Sequence, residues 1–121
     1  MAKYDCEMFG FFSYSPELSY NELYALEEAF RSTLHDALAA HGADYMQYEP
    51  EGDALRVQCV FAGCEEEVFH AVCDTVVRSM SGHVHGRLLF VNKNLQELLV
   101  YRLQHTGWSE AAVSLLGLDS I

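Results

Sequence analysis

The hydrophobic period of this chain switches between two and about 3.6 residues several times, and the order of the switches is the strongest constraint on what it can fold into. "KYDCEMFGFFS", from about Lys3 to Ser13, alternates apolar and polar residues and is rich in aromatics, which predicts a strand. Ser19 with Glu22 three residues on is a capping-box signature, and Leu23, Leu26, Phe30, Leu34 and Leu38 then recur at spacings of three and four. That segment is a helix closed by Gly42. "DYMQYEPEGDALRVQCVFAG" reads as two short strands joined at Pro50 and Gly52. After the break at Gly63, helical spacing returns in Val68, Val72, Val76 and Met80, with Phe69, Cys73 and Val77 on the neighbouring stripe. "SGHVHGRLLFVN" predicts a further strand. "NKNLQELLVYRLQHTG" reads as a third helix, capped at Asn92 or Asn94 and ended at Gly107, and "WSEAAVSLLGL" as a last short one.

Strand, helix, strand, strand, helix, strand is the order of an α+β, ferredoxin-like βαββαβ sandwich: a four-stranded antiparallel sheet, with the remaining residues as a C-terminal helical extension. The chain of 121 residues fits a single domain, with a core over 1–91 and C-terminal helices over 92–121. It is 50% apolar and 21% charged without a low-complexity tract, so the whole length is expected to be ordered. The first residues lack the apolar run of a secretory leader and no long apolar stretch follows, so the expectation is a soluble, cytoplasmic protein that does not enter a membrane. The four cysteines form no CxxC pair, and reduced thiols are expected. Cys6 and Cys59 fall at alternating strand positions and read as small core residues.

Net charge is −11, unevenly placed. Residues 1–77 carry fifteen Asp and Glu against Lys3, Arg31 and Arg56, whereas residues 78–121 are close to neutral. Such a field repels nucleic acid and attracts basic protein surfaces.

"GCEEEVFHAVCDT" raises the question of chemistry. Glu65, Glu66 and Glu67 fall at a helix start, where the helix dipole favours negative charge without any catalytic role. Cys64 sits at the same helix start, which favours a thiolate, but the three glutamates oppose it. His83 and His85 in "HVH" share one strand face, and His70 and Cys73 lie one helical turn apart; together they fall short of a zinc motif of established spacing. No phosphate loop and no Ser/His/Asp context occurs. The aromatic first strand has the look of an RNA-stacking sheet, but Asp5 and Glu7 lie in it and no basic groove is evident. No catalytic residue, metal or cofactor is therefore expected.

What remains is an acidic face dotted with tyrosine. Glu49, Glu51 and Asp53 occupy a hairpin turn, Glu65, Glu66 and Glu67 a helix start, and Glu27 and Glu28 the first helix, extended by Glu22 and Asp36; Tyr45 and Tyr48 flank the turn. These residues are the expected contacts to a basic protein partner, since tyrosine supplies contact area and engages arginine. In size and charge the chain resembles small phage-encoded inhibitors such as anti-CRISPR proteins, in which carboxylates imitate DNA phosphates. The competing expectation is a small oligomeric enzyme or ligand-binding domain, possible as a homodimer, with a pocket near His83 and His85 to which His70 and Tyr101 contribute.

Overall fold

The computed structural model describes residues 5–92 and 97–114. The chain is an α+β protein in which two helices pack on one face of a six-stranded antiparallel sheet. In chain order the elements are β1 (Cys6–Tyr14), α1 (Tyr20–Ala40), β2 (Asp44–Glu51), β3 (Ala54–Phe61), α2 (Glu66–Arg78), β4 (Val84–Asn92), β5 (Glu97–Gln104) and β6 (Gly107–Ser114). The strand order is β2-β3-β1-β4-β5-β6, so β1 lies inside the sheet between β3 and β4. The expected pairing of the first strand with the Val84–Val91 segment is therefore present.

Local signals explain most of these elements. The Ser19 hydroxyl accepts from the Glu22 backbone N–H at 3.2 Å, and the Glu22 carboxylate accepts from the Ser19 N–H at 2.9 Å, so two otherwise orphaned donors are satisfied at the start of α1. These bonds hold the Glu22 carboxyl below its ordinary pKa. Past the helix end, Gly42 takes φ +86, the left-handed conformation that lets the chain turn into β2. The hairpin from β2 to β3 turns at Gly52, also left-handed at φ +66.

Every second residue of the inner strands faces the helices. Cys6, Met8, Phe12 and Tyr14 of β1 meet Leu55, Val57, Cys59 and Phe61 of β3 and Val84, Leu88 and Phe90 of β4 in one core with Phe30, Leu34 and Leu38 of α1 and Phe69, Val72, Cys73 and Val76 of α2. Phe12 meets Phe30 edge-on at 4.9 Å, and Phe69 stacks on Phe90 at 3.9 Å, which ties each helix to a different half of the sheet.

The sequence reading fails at the C-terminus. In place of a four-stranded sheet with helices over 92–121, the described residues there form β5 and β6, and the sheet has six strands. In "ELLVYRLQ" the apolar residues satisfy a helical and an alternating pattern equally well. Leu99, Tyr101 and Leu103 are buried on the core face while Arg102 and Gln104 face out. Tertiary context decides: β4 would otherwise present an unpaired hydrogen-bonding edge, and β5 satisfies it. Gly107 at φ +151 closes a two-residue connection between paired Gln104 and Gly107, so the glycine read as a helix end is a hairpin signal.

Two glycines on the core face set how closely the layers meet. A Cβ at Gly86 would lie 2.4 Å from Phe12 Cδ1 and 2.6 Å from the Phe11 carbonyl oxygen, a backbone atom that cannot swing aside. At Gly10 the nearest atom is a side-chain methyl, Val57 Cγ1 at 2.5 Å. Gly86→Ala is therefore expected to destabilise the protein by about 2–3 kcal/mol, and Gly10→Ala by less. Urea unfolding of the two variants checks this order; equal midpoints would contradict it.

Candidate functional site

The acidic residues named from sequence separate into two groups at opposite ends of one strand. Glu49, Glu51 and Asp53 are exposed where β2 turns into β3. Glu65 is the N-cap residue of α2 and Glu66 and Glu67 form its first turn, all three exposed. Between the groups runs β3, whose eight residues span about 26 Å. Arg56 Nε approaches Glu51 at 3.6 Å, an exposed pair of little energetic weight.

The tyrosines differ in how they are held. Tyr45 is 70% exposed and takes φ 54 at the point where the β2–β3 register shifts. Tyr48 is half-buried, its hydroxyl 3.1 Å from His35 Nδ1 and 3.7 Å from Met46 Sδ, to which it donates. Burial above all pushes the Tyr48 phenol up to about 12, and Tyr48 packs β2 against α1.

Glu27 and Glu28 part company. Glu28 is exposed, as expected of a surface acid, but Glu27 is only 9% exposed because it falls on the same helical stripe as Leu23, Phe30 and Leu34. Its Oε1 is buried without a hydrogen-bond partner, and Arg31 Nη1, one turn along α1, stands 3.6 Å away. The Tyr14 hydroxyl is likewise buried and unpartnered; burial, and then the Glu27 carboxylate, raise its pKa. Glu27 and Arg31 line a cleft of about 290 Å³ between α1 and the β2–β3 turn, walled by Tyr20, Leu23, Tyr24, Pro50 and Gly52. Tyr20 and Tyr24 are 82% and 62% exposed. A cleft that combines a carboxylate with two exposed aromatic side chains suits a cationic group that arrives from outside.

The histidines and cysteines do not converge. His85 is exposed on the sheet face away from the helices and His83 precedes β4, whereas His70 and Cys73 belong to α2 on the other face. Among the described residues no group of three or more His, Cys, Asp or Glu has metal-binding geometry. His70 instead packs against Trp108 at 4.9 Å and Tyr101 at 5.7 Å, with Nε2 3.3 Å from Glu110. Trp108 Nε1 donates to Asp74 at 2.8 Å, so this cluster fastens α2 to β5 and β6. Burial pushes the Cys59 and Cys73 thiols up to about 12 and raises Cys6 further, in Cys6 with help from neighbouring Cys64. Cys64 is half-buried and donates to the Asp5 carbonyl at 3.3 Å.

One constellation escaped the sequence reading. The register aligns Glu49, Arg56, Phe11, Arg87, Arg102 and Ser109 in one row across the sheet face that the helices leave open. The Arg56 and Arg87 guanidinium carbons lie 5.9 and 6.0 Å from the centre of the Phe11 ring. The aromatic strand thus has cationic neighbours after all. They were hidden because Arg56, Arg87 and Arg102 come from three separate strands, one of them read as a helix.

No family model and no curated protein matches the chain. Among the described residues no helix is long and apolar enough to cross a membrane.

Two outcomes follow from this geometry. Replacing the buried carboxylate, which lacks a hydrogen bond at Oε1, in Glu27→Met is expected to stabilise the fold by about 1 kcal/mol, read from the urea midpoint; a loss of stability would mean that the Arg31 pair outweighs the cost of burying the charge. A thiol reagent at mildly alkaline pH should modify Cys64 first in the native protein and all four cysteines only after unfolding. Mass mapping of the labelled peptide decides, and early labelling of Cys59 or Cys73 would contradict the burial.

Proposed function

We propose that the chain is a non-enzymatic binding protein that docks on a basic protein surface through α1 and the β2–β3 hairpin. The observation that carries this reading is Glu27: a buried carboxylate whose Oε1 has the 3.6 Å ion pair with Arg31 but no hydrogen bond, on a residue that lines a cleft walled by exposed Tyr20 and Tyr24. Burying a carboxylate with the Arg31 pair but without hydrogen bonds at Oε1 costs stability, and an arginine or lysine side chain of a partner that enters the cleft offsets that cost. Glu28, Glu49, Glu51 and Asp53 supply the surrounding negative field, with Tyr45 as further contact area, and that field speeds encounter with a cationic surface.

A narrower form of the reading is an inhibitor that imitates DNA, in the manner of an anti-CRISPR protein. Its support is the wide separation of Glu49, Glu51 and Asp53 from Glu65, Glu66 and Glu67, which sets carboxylates at both ends of an eight-residue strand. The ferredoxin-like reading of the core is supported by the β2-β3-β1-β4 order and by the two helices on one face, with β5 and β6 added at the β4 edge.

A short arginine-rich peptide, with its uncharged citrulline analogue as control, tests the cleft. The arginine peptide is expected to bind and the citrulline peptide not, with Glu27→Gln weakening binding by about tenfold or more. Reversing Glu49, Glu51 and Asp53 to lysine should mainly slow association and flatten its salt dependence while the fold stays intact. Equal affinity of the wild-type protein and both variants for the arginine peptide would end this reading.

A further inference from the structure

The open face of the sheet carries a second feature, opposite in sign to the surface just described. Arg87 and Arg102 are direct cross-strand partners on β4 and β5, and like charges placed opposite each other destabilise a sheet. Among the described residues, neither arginine has a carboxylate within ion-pair distance, although the protein has eighteen Asp and Glu against seven Lys and Arg. A concavity of about 580 Å³ opens over them, and its described lining contains no carboxylate. His85, His105, Gln104 and Ser13 line it beside the two arginines, so hydrogen-bond donors converge on it from β1, β4, β5 and the turn after β5. Phe11, 37% exposed, forms its wall toward β1.

We propose that this concavity binds a small phosphate ester bearing a planar ring, a mononucleotide in class. The phosphate sits between the Arg87 and Arg102 guanidinium groups, whose planar forks match phosphate oxygens and whose mutual repulsion it removes. The ring lies against Phe11, as bases stack on exposed aromatic side chains of sheet surfaces. The volume falls in the range of small-molecule sites. The net negative charge of the protein does not forbid this, because exposed charges farther than about 8 Å are largely screened at physiological salt. The site is independent of the Glu27 cleft, which lies on the helical side of the sheet.

The experiment is a titration of the isotope-labelled full chain, followed by amide NMR, with adenosine monophosphate, inorganic phosphate, adenosine and a short single-stranded RNA. Adenosine monophosphate is expected to shift amides around Phe11, Arg87 and Arg102, inorganic phosphate to shift only those near the arginines, and adenosine alone to bind far more weakly. Arg102→Gln should weaken binding of the monophosphate by about tenfold while leaving the unfolding midpoint unchanged or higher, because it removes a like-charge pair. That combination separates a binding role from a structural one. The proposal is overturned if millimolar adenosine monophosphate shifts none of these amides, if Arg102→Gln lowers stability and leaves binding unchanged, or if the RNA binds much more tightly than the monophosphate. It is overturned equally if the free protein is a dimer whose interface covers Phe11 and Arg102.

Discussion

The contact on which the rest of this architecture depends is that of the Phe12 ring with Gly86. A side chain at Gly86 would collide with that ring and with the Phe11 carbonyl. Because the glycine is bare, the Phe12 ring can occupy the space beside Gly86 and still reach Phe30 of α1 edge-on. At this point α1 approaches the inner strand through one aromatic ring, and the bare glycine sets how closely the two layers meet there. Phe69 on Phe90 repeats the contact for α2, one strand farther from the β2 edge. The cluster of Trp108, His70 and Asp74 then carries the same layer out to the added hairpin.

Much of this was legible in the residues, and the failures have physical causes. The capping box at Ser19 and Glu22, the turn at Gly52 and the alternation in β1 and β3 are local rules, and the structure obeys them. The C-terminal segment was misread because leucine, glutamate and glutamine favour helices while its alternation also fits a strand, and only the open edge of β4 settles the tie. Glu27 was misplaced for a related reason: an acid beside another acid reads as solvated, yet the stripe through Leu23 and Phe30 passes over its position. The arginine row was invisible because it exists only once the register of three strands is known.

Charge is thus sorted by surface as well as by position in the chain. The helical side and the two ends of β3 carry the exposed acids, and the middle of the open face carries three of the seven Lys and Arg residues. Simple separation of this kind lets one small sheet protein present two faces that attract opposite charges, with the sheet itself as the partition between them.

The two edges of the sheet are unlike in a way that bears on self-association. At Tyr45 the backbone of β2 enters the left-handed region and the ladder to β3 slips between Asp44 and Gln47. A bulge of this kind twists an outer strand away from flat, and Pro50 removes one of its amide donors. The β2 margin is therefore a poor template for another extended chain, which is how sheet proteins avoid growing into fibres. At the other margin β6 pairs with β5 in unbroken register from Gly107 to Ser114. Among the described residues the flat margin is that of β6, so edge-to-edge pairing of two molecules would run through β6 and a third would meet only the blunted β2 margin.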